Sequence, residues 1–275
     1  MPATEGPRNQ RWSNYTARSY KGQAMKTSRI RLASFHLLGV IGMRREDILL
    51  TSFSRSGNTW LRFLLCNLIS IREWDGKTVD FPLLNKTMPE FGVNNLLAPW
   101  PYITIPRVVK THKPYLPFFS RNRSIGIIRD PRDVMVSHYH KRKYRGGTYS
   151  GTFVEFIRDR HLGLDGWFRH YISWKDRWTL VVRYEDLRID TFREFSRILN
   201  LLGVSYPEDT ICEAIHRSSI ENVRRVEQPP ERKEARFARD GQTQQWFAYF
   251  NQQDLEYYHE LVEKYKVYIY TDMKT

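Results

Sequence analysis

Cysteine is scarce: Cys66 and Cys212 are the only two in 275 residues. They lie far apart with no metal-ligand spacing. That excludes a disulfide-stapled scaffold and a cysteine-based zinc site, and both read as core thiols in a reducing compartment. Long apolar runs are also missing. The longest, near Leu37–Met43, falls far short of the ~20 residues a bilayer span needs, so no membrane span is expected. The amino terminus is polar and basic without an apolar h-region, which predicts no secretory leader. Acidic residues are outnumbered, 30 Asp and Glu against 44 Lys and Arg, for a net charge of +14. Such an excess calls for polyanionic ligands: nucleic acid, an anionic membrane or a phosphate-rich cofactor. Much of it sits at one end, where residues 1–31 contribute +6. The remainder is only moderately basic, whereas a general nucleic-acid binder has a denser basic face.

What is present suits one large α/β domain. Hydrophobic residues make up 41% of the chain, enough for a packed core. Residues 1–30 read as a flexible basic arm and 31–275 as the folded domain, with a short helix within Arg31–Gly42. Asp47–Ser52 is a short apolar run ending in turn residues, the signature of a buried parallel strand. Thr59–Ile71 is apolar enough for a buried helix. Strands follow at Arg107–Lys110, Ser124–Ile128 and Thr179–Tyr184. Helices are predicted from Pro131 to about Lys143, over Thr152–Arg160, Gly166–Trp178, Thr191–Leu202 (stopped by Gly203), Pro207–His216 and Gln252–Tyr265. Val226–Gly241, charged and broken by Pro229-Pro230, reads as a long surface loop. Strands alternating with helices predict a central parallel sheet flanked by helices on both faces.

The first strand–turn–helix unit carries the chemistry. Ser54-Arg55-Ser56-Gly57-Asn58-Thr59-Trp60 is built of small and hydroxylated residues at a predicted helix start. Free backbone N–H groups and the helix dipole favour an anion there, and Arg55 adds a forked cation. The stretch Ser52–Thr59 is P-loop-like, but Asn58 stands where a Walker A loop has lysine. The loss of a group that reaches the β/γ-phosphates speaks against a nucleotide kinase and fits a donor with a single 5'-phosphate.

Four further segments follow in order: Arg107-Val108-Val109-Lys110-Thr111-His112-Lys113-Pro114, Ile128-Arg129-Asp130-Pro131-Arg132-Asp133 through Ser137-His138-Tyr139, Val182-Arg183-Tyr184-Glu185-Asp186-Leu187, and Phe237-Ala238-Arg239-Asp240-Gly241 with Trp246 downstream. Together with the loop they make the chain, over about residues 45–265, resemble the PAPS-dependent sulfotransferase family of the cytosolic or bacterial soluble type (PAPS is 3'-phosphoadenosine-5'-phosphosulfate). The resemblance implies sulfuryl transfer from PAPS to a hydroxyl or amine of a small-molecule acceptor, with PAP as product, no metal, no nucleic-acid partner and a cytoplasmic setting. It assigns the 5'-phosphosulfate to Arg55, Ser56, Gly57, Asn58 and Thr59, and the adenine to Trp60, Tyr184 and Ile220. The 3'-phosphate falls to Arg129 and Ser137, with Arg239 and Gly241 closing over it. His112 becomes the general base, and Lys110 and Arg55 support the group in transfer.

Departures from the family pattern are specific. Arg55 replaces a common lysine and can act only electrostatically, because guanidinium does not give up its proton. Asp240 stands at a usually basic position, and Ile220 where a phenylalanine is common. His138, His140, His161 and His170 show no metal pattern and read as packed or solvated. Lys141–Gly147 reads as a mobile solvated segment, with a lid or acceptor-contacting loop, hinged at Gly146 and Gly147, as the alternative. Acceptor contacts are expected within Lys77–Tyr102, Tyr144–Tyr149 and Val226–Phe237, and tailoring of a secondary metabolite is the acceptor class considered. The competing functions are a P-loop-type nucleotide kinase and a basic protein that binds nucleic acid or a sulfated glycan.

Overall fold

The computed structural model describes residue 34, residues 36–227 and residues 241–271. The basic arm assigned to residues 1–30, and the segment 228–240 with Arg239 and Asp240, lie outside the described residues. The chain divides into two compact units, one of residues 1–43 with Glu90–Pro99 and one of Arg44–Pro89 with Trp100–Thr275. In the smaller unit, residues 36–42 are helical, and a β-carbon on Gly42 would lie only 2.4 Å from the backbone of Leu96.

The larger unit is built on four parallel strands: β1 (Ile48–Thr51), β2 (Val108–Thr111), β3 (Ser124–Ile128) and β4 (Leu180–Arg183), in the order β2-β1-β3-β4. Every residue of β1 and β3 is buried, as central strands covered on both faces must be. The first connection leads to β2 on one side of β1 and the next to β3 on the other. The switch of direction opens a crevice at the carboxyl ends of β1 and β3, where such sheets bind ligands.

Among the described residues, ten α-helices complete the unit: α1 (Asn58–Glu73), α2 (Phe81–Thr87), α3 (Pro131–His140), α4 (Phe153–Arg158), α5 (Leu164–Trp174), α6 (Tyr184–Ile189), α7 (Thr191–Leu202), α8 (Glu208–Arg217), α9 (Ile220–Val226) and α10 (Gln252–Tyr265). Ile48, Leu50, Ile125 and Ile127 point to one face and pack in one core with α1, α7 and α8. Gly126, of opposite parity, faces the other way. Trp178 lies so close that a β-carbon there would meet its ring at 2.4 Å, and its indole donates to Thr51 Oγ1 at 2.6 Å. A second core, rich in aromatics, joins α3, α4, α5 and α10. At the amino end of the sheet, Arg107 grips Asp47 through two hydrogen bonds of 2.8 and 2.6 Å, and Arg44 N–H donates to the same carboxylate. Both charges are buried, so this fork closes the lower end of the β1–β2 pair.

The helix predicted to run to about Lys143 ends at His140 and continues as a wide π-type turn, Lys141–Arg145. Of the two predicted core thiols, Cys66 is buried, and burial pushes its pKa up to about 12. Cys212 is exposed, because α8 is amphipathic and position 212 falls on its solvent face. His138, His140 and His170 are buried and His161 is exposed. Among the described residues no helix is long and apolar enough to cross a membrane, and no group of three His, Cys, Asp or Glu could hold a metal ion.

Burial holds the pKa of both His138 and His170 down at about 3, with Arg142, Lys141 and Arg55 adding repulsion at His138. The folded state therefore keeps both rings neutral where an unfolded chain would protonate them, near pH 6.5. The stability this represents is complete above pH 6.5 and is lost as pH falls toward 3. Urea unfolding at pH 7 and at pH 5.5 should show a marked fall, with a limiting slope of about 1.4 kcal/mol per pH unit for each ring. A stability unchanged between those pH values would contradict it.

Candidate functional site

Strand register assembles the site. Thr51 pairs with Thr111 across β1 and β2, so the next residues, Ser52 and His112, leave the sheet side by side. His112 Nδ1 lies 2.8 Å from the Ser52 carbonyl oxygen. A carbonyl only accepts, so Nδ1 carries a proton, and in the neutral form of the ring Nε2 is the acceptor. Ser52 Oγ lies 3.4 Å from the same nitrogen and receives a hydrogen bond from Asn58 Nδ2 at 3.2 Å. On the other side, Ile128 pairs with Arg183, so Arg129 and Tyr184 emerge together. The Arg129 guanidinium stacks 4.4 Å from the Tyr184 ring.

The loop after β1 turns sharply. Arg55 adopts a left-handed conformation with φ 74°, and its Nε donates to Ser137 Oγ on α3 at 2.9 Å. Gly57 has φ 108°, a conformation that side chains disfavour. A β-carbon there would also stand 2.6 Å from Tyr184 Cδ2. Gly57 is the N-cap of α1 and supplies no side-chain cap. The first N–H groups of an α-helix have no intrahelical acceptor, and Asn58 and Thr59 both border the cavity described next.

A cavity of about 370 Å³ spans these elements. Among its lining residues are Arg55, Gly57, Asn58, Thr59 and Trp60 from the loop and α1, and Lys110 and His112 from the end of β2. Arg129, Ser137, Tyr184, Ile220 and Gly241 line it as well. Trp60 packs edge-on to Tyr184 with ring centres 5.9 Å apart, and its indole donates to the Ser218 carbonyl. The Tyr184 hydroxyl donates to the Gly241 carbonyl at 2.9 Å. Arg129 is buried, donates to the Gln242 carbonyl and lies 3.7 Å from Asp133. Asp133 in turn accepts from the backbone N–H groups of Gln244 and Trp246, and burial raises its pKa. The segment after residue 240 is thereby fastened to the start of α3.

Of the residues assigned to donor binding or catalysis, Ser56 alone is described and does not line the cavity. It is buried, with its amide donating to the Phe53 carbonyl. Arg239 lies outside the described residues. Four further cations line the cavity: Arg62 and Arg188, which motif reading passed over, and Lys141 and Arg145, from the segment read as solvated or as a lid or acceptor-contacting loop. Lys141 and Arg145 were legible in principle, since they stand four and eight residues beyond Ser137 and continue its stripe. Phe81 and Asn85, and Arg145, fall within two of the three stretches expected to meet an acceptor.

Residues 45–271 fit the sulfotransferase domain model. Sulfotransferase 1A1 of Rattus norvegicus is 28% identical over 198 residues, covering 65% of this chain and 67% of the relative. Sulfotransferase 4A1 of Homo sapiens is 30% identical over 179 residues, covering 59% of this chain and 62% of the relative. Among solved structures, mouse sulfotransferase SULT7A1 complexed with PAP superposes with a TM-score of 0.64 at 18% identity, over 84% of this chain and 87% of that one. Retinol dehydratase in a complex with retinol and PAP gives 0.63 at 19% identity, over 85% and 84%. These two likenesses carry the fold; the domain match, spanning most of the chain, carries the family, and the protein belongs to the sulfotransferases.

Proposed function

We propose that the protein moves a sulfuryl group from PAPS to a hydroxyl or amine of a small-molecule acceptor, with His112 as general base. The observation that carries the reading is the hydrogen bond from His112 Nδ1–H to the Ser52 carbonyl. It fixes the tautomer in which Nε2 can take a proton, and His112 borders the same cavity as the anion loop. As the acceptor oxygen attacks sulfur, its proton passes to Nε2, the bond between sulfur and the bridging oxygen breaks, and PAP departs with that electron pair. Lys110 and Arg55 border the same end of the cavity and offset the charge on the bridging oxygen. Arg55 does so without proton transfer, held by its bond to Ser137.

The other assignments follow from placement. The first-turn N–H groups at Asn58 and Thr59 suit the 5'-phosphosulfate, and Gly57 lets the backbone come close. Trp60, Tyr184 and Ile220 make an apolar slot for adenine, and Gly241 borders it. Arg129 and Ser137 suit the 3'-phosphate. Asn58 also props Ser52 against the histidine, a task no Walker lysine performs. Ser56 shapes the turn from inside and drops out of the binding set. The free thiols of Cys66 and Cys212 support a cytoplasmic setting.

His112→Ala should cut turnover by about 10² to 10⁴-fold while PAP still binds, as measured by steady-state kinetics and calorimetry. Ordinary turnover in that variant would refute the base role. Arg129→Ala should raise the KM for PAPS, and more than tenfold is expected from the loss of about 1.5–3 kcal/mol in a charge-assisted contact. An unchanged KM would count against the 3'-phosphate assignment.

A further inference from the structure

The donor does not account for all the positive charge in the cavity. The described wall holds seven lysines and arginines and no aspartate or glutamate. A donor with one 3'-phosphate and one phosphosulfate brings about four negative charges. Arg55, Lys110 and Arg129 face it on the reading above, and Arg188 lies 5.8 Å from the Trp60 ring. Arg62, Lys141 and Arg145 remain. Arg62 is buried and donates to the carbonyls of Leu84 and Met88 and to Asn85, all neutral oxygens. Arg145 stands 3.4 Å from Glu227. The Lys141 ammonium makes no hydrogen bond or ion pair with any described residue.

The backbone explains the placement. Ser137, Lys141 and Arg145 are spaced by four and form one stripe, carried past the end of α3 by the wide turn Lys141–Arg145. Ser137 grips Arg55, so the stripe starts at the donor loop and leads away from it. Lys141 is accessible to solvent, and neighbouring protein removes part of the water around it. That burial, together with Arg55, Lys110, Arg142 and Arg145, brings its pKa down to about 8. It therefore remains mainly protonated at neutral pH, a cation held among like charges that an arriving anion would relieve.

Resting on the sulfuryl-transfer reading, we propose that the acceptor is itself an anion, a small molecule whose carboxylate, phosphate or sulfate group is received by Lys141 and Arg145 while its hydroxyl faces His112. Phe63 and Phe81, edge to face with centres 5.2 Å apart, add an apolar wall to the same cavity. The acceptor thus combines an apolar body with an anionic group.

The test uses the full-length protein with saturating PAPS. Hydroxyl acceptors are offered in matched sets: a neutral form, a carboxylate, a phosphate monoester and a sulfate monoester. At least one anionic member should react with kcat/KM about tenfold or more above its neutral partner, the scale of one charge-assisted contact, and the arm that wins identifies the anion. Lys141→Leu should bring that ratio near one and Lys141→Arg should restore it, with PAP affinity within about twofold of wild type in both. Neutral members reacting as well as all anionic ones, or a ratio unmoved by Lys141→Leu, overturns the proposal. Competitive acetylation read by mass spectrometry decides the case in which no member turns over. Lys141 should label with a midpoint near pH 8 in the ligand-free protein. In the PAP-bound protein the anionic members alone should protect it, and absence of that protection overturns the proposal too. If PAP fails to bind at all, it is the sulfotransfer reading beneath it that falls.

Discussion

The site depends on the pairing register of four short parallel strands. Because Thr51 lies opposite Thr111 and Ile128 opposite Arg183, each strand releases its next residue at a fixed neighbour. Two pairs result, Ser52 with His112 and Arg129 with Tyr184, from segments about 55–60 residues apart in sequence. A slip of one residue in either pairing would turn the side chains to the other face of the sheet and dissolve both pairs. The register is well secured. β1 and β3 are wholly buried, the Asp47–Arg107 fork closes the lower end, and Trp178 fills the space that Gly126 leaves on β3.

Close approach is the second constraint, and it centres on Gly57. Its φ of 108° turns the chain from β1 into α1, and its missing side chain makes room for the Tyr184 ring. One residue therefore sets the direction of the helix whose first N–H groups line the cavity and the position of the ring on which Arg129 rests. Any side chain at this position would have to displace one or the other.

Much of this was legible in the sequence where local chemistry decides the outcome. Ser124–Ile128 is an apolar run between turn residues, and Thr191–Leu202 ends in a glycine that adopts φ 75°; both were read to the residue. The short helices were harder. α6 begins directly after β4, with Arg183 as an N-cap that makes no side-chain bond. α2 is seven residues long, although its Asp80 cap and Pro82 are ordinary start signals. In the site, motif reading found the residues on the loop and strand ends, because those types bind anions wherever they are placed. It could not find that Ser56 faces inward, since that follows from the left-handed twist at Arg55. It left Lys141 and Arg145 between a solvated segment and an acceptor-contacting loop, because the wide turn that carries them past α3 has no plain signature in composition.

The hydrogen bond between His112 and the Ser52 carbonyl has one more consequence. Nδ1 is committed to a main-chain oxygen, which, unlike a carboxylate, has no full charge to share with the ring. Under the proposed base role, a proton taken at Nε2 leaves on the side from which it came. On that proposal the base resets once the sulfated product has cleared the mouth of the cavity, which couples discharge of the base to departure of product.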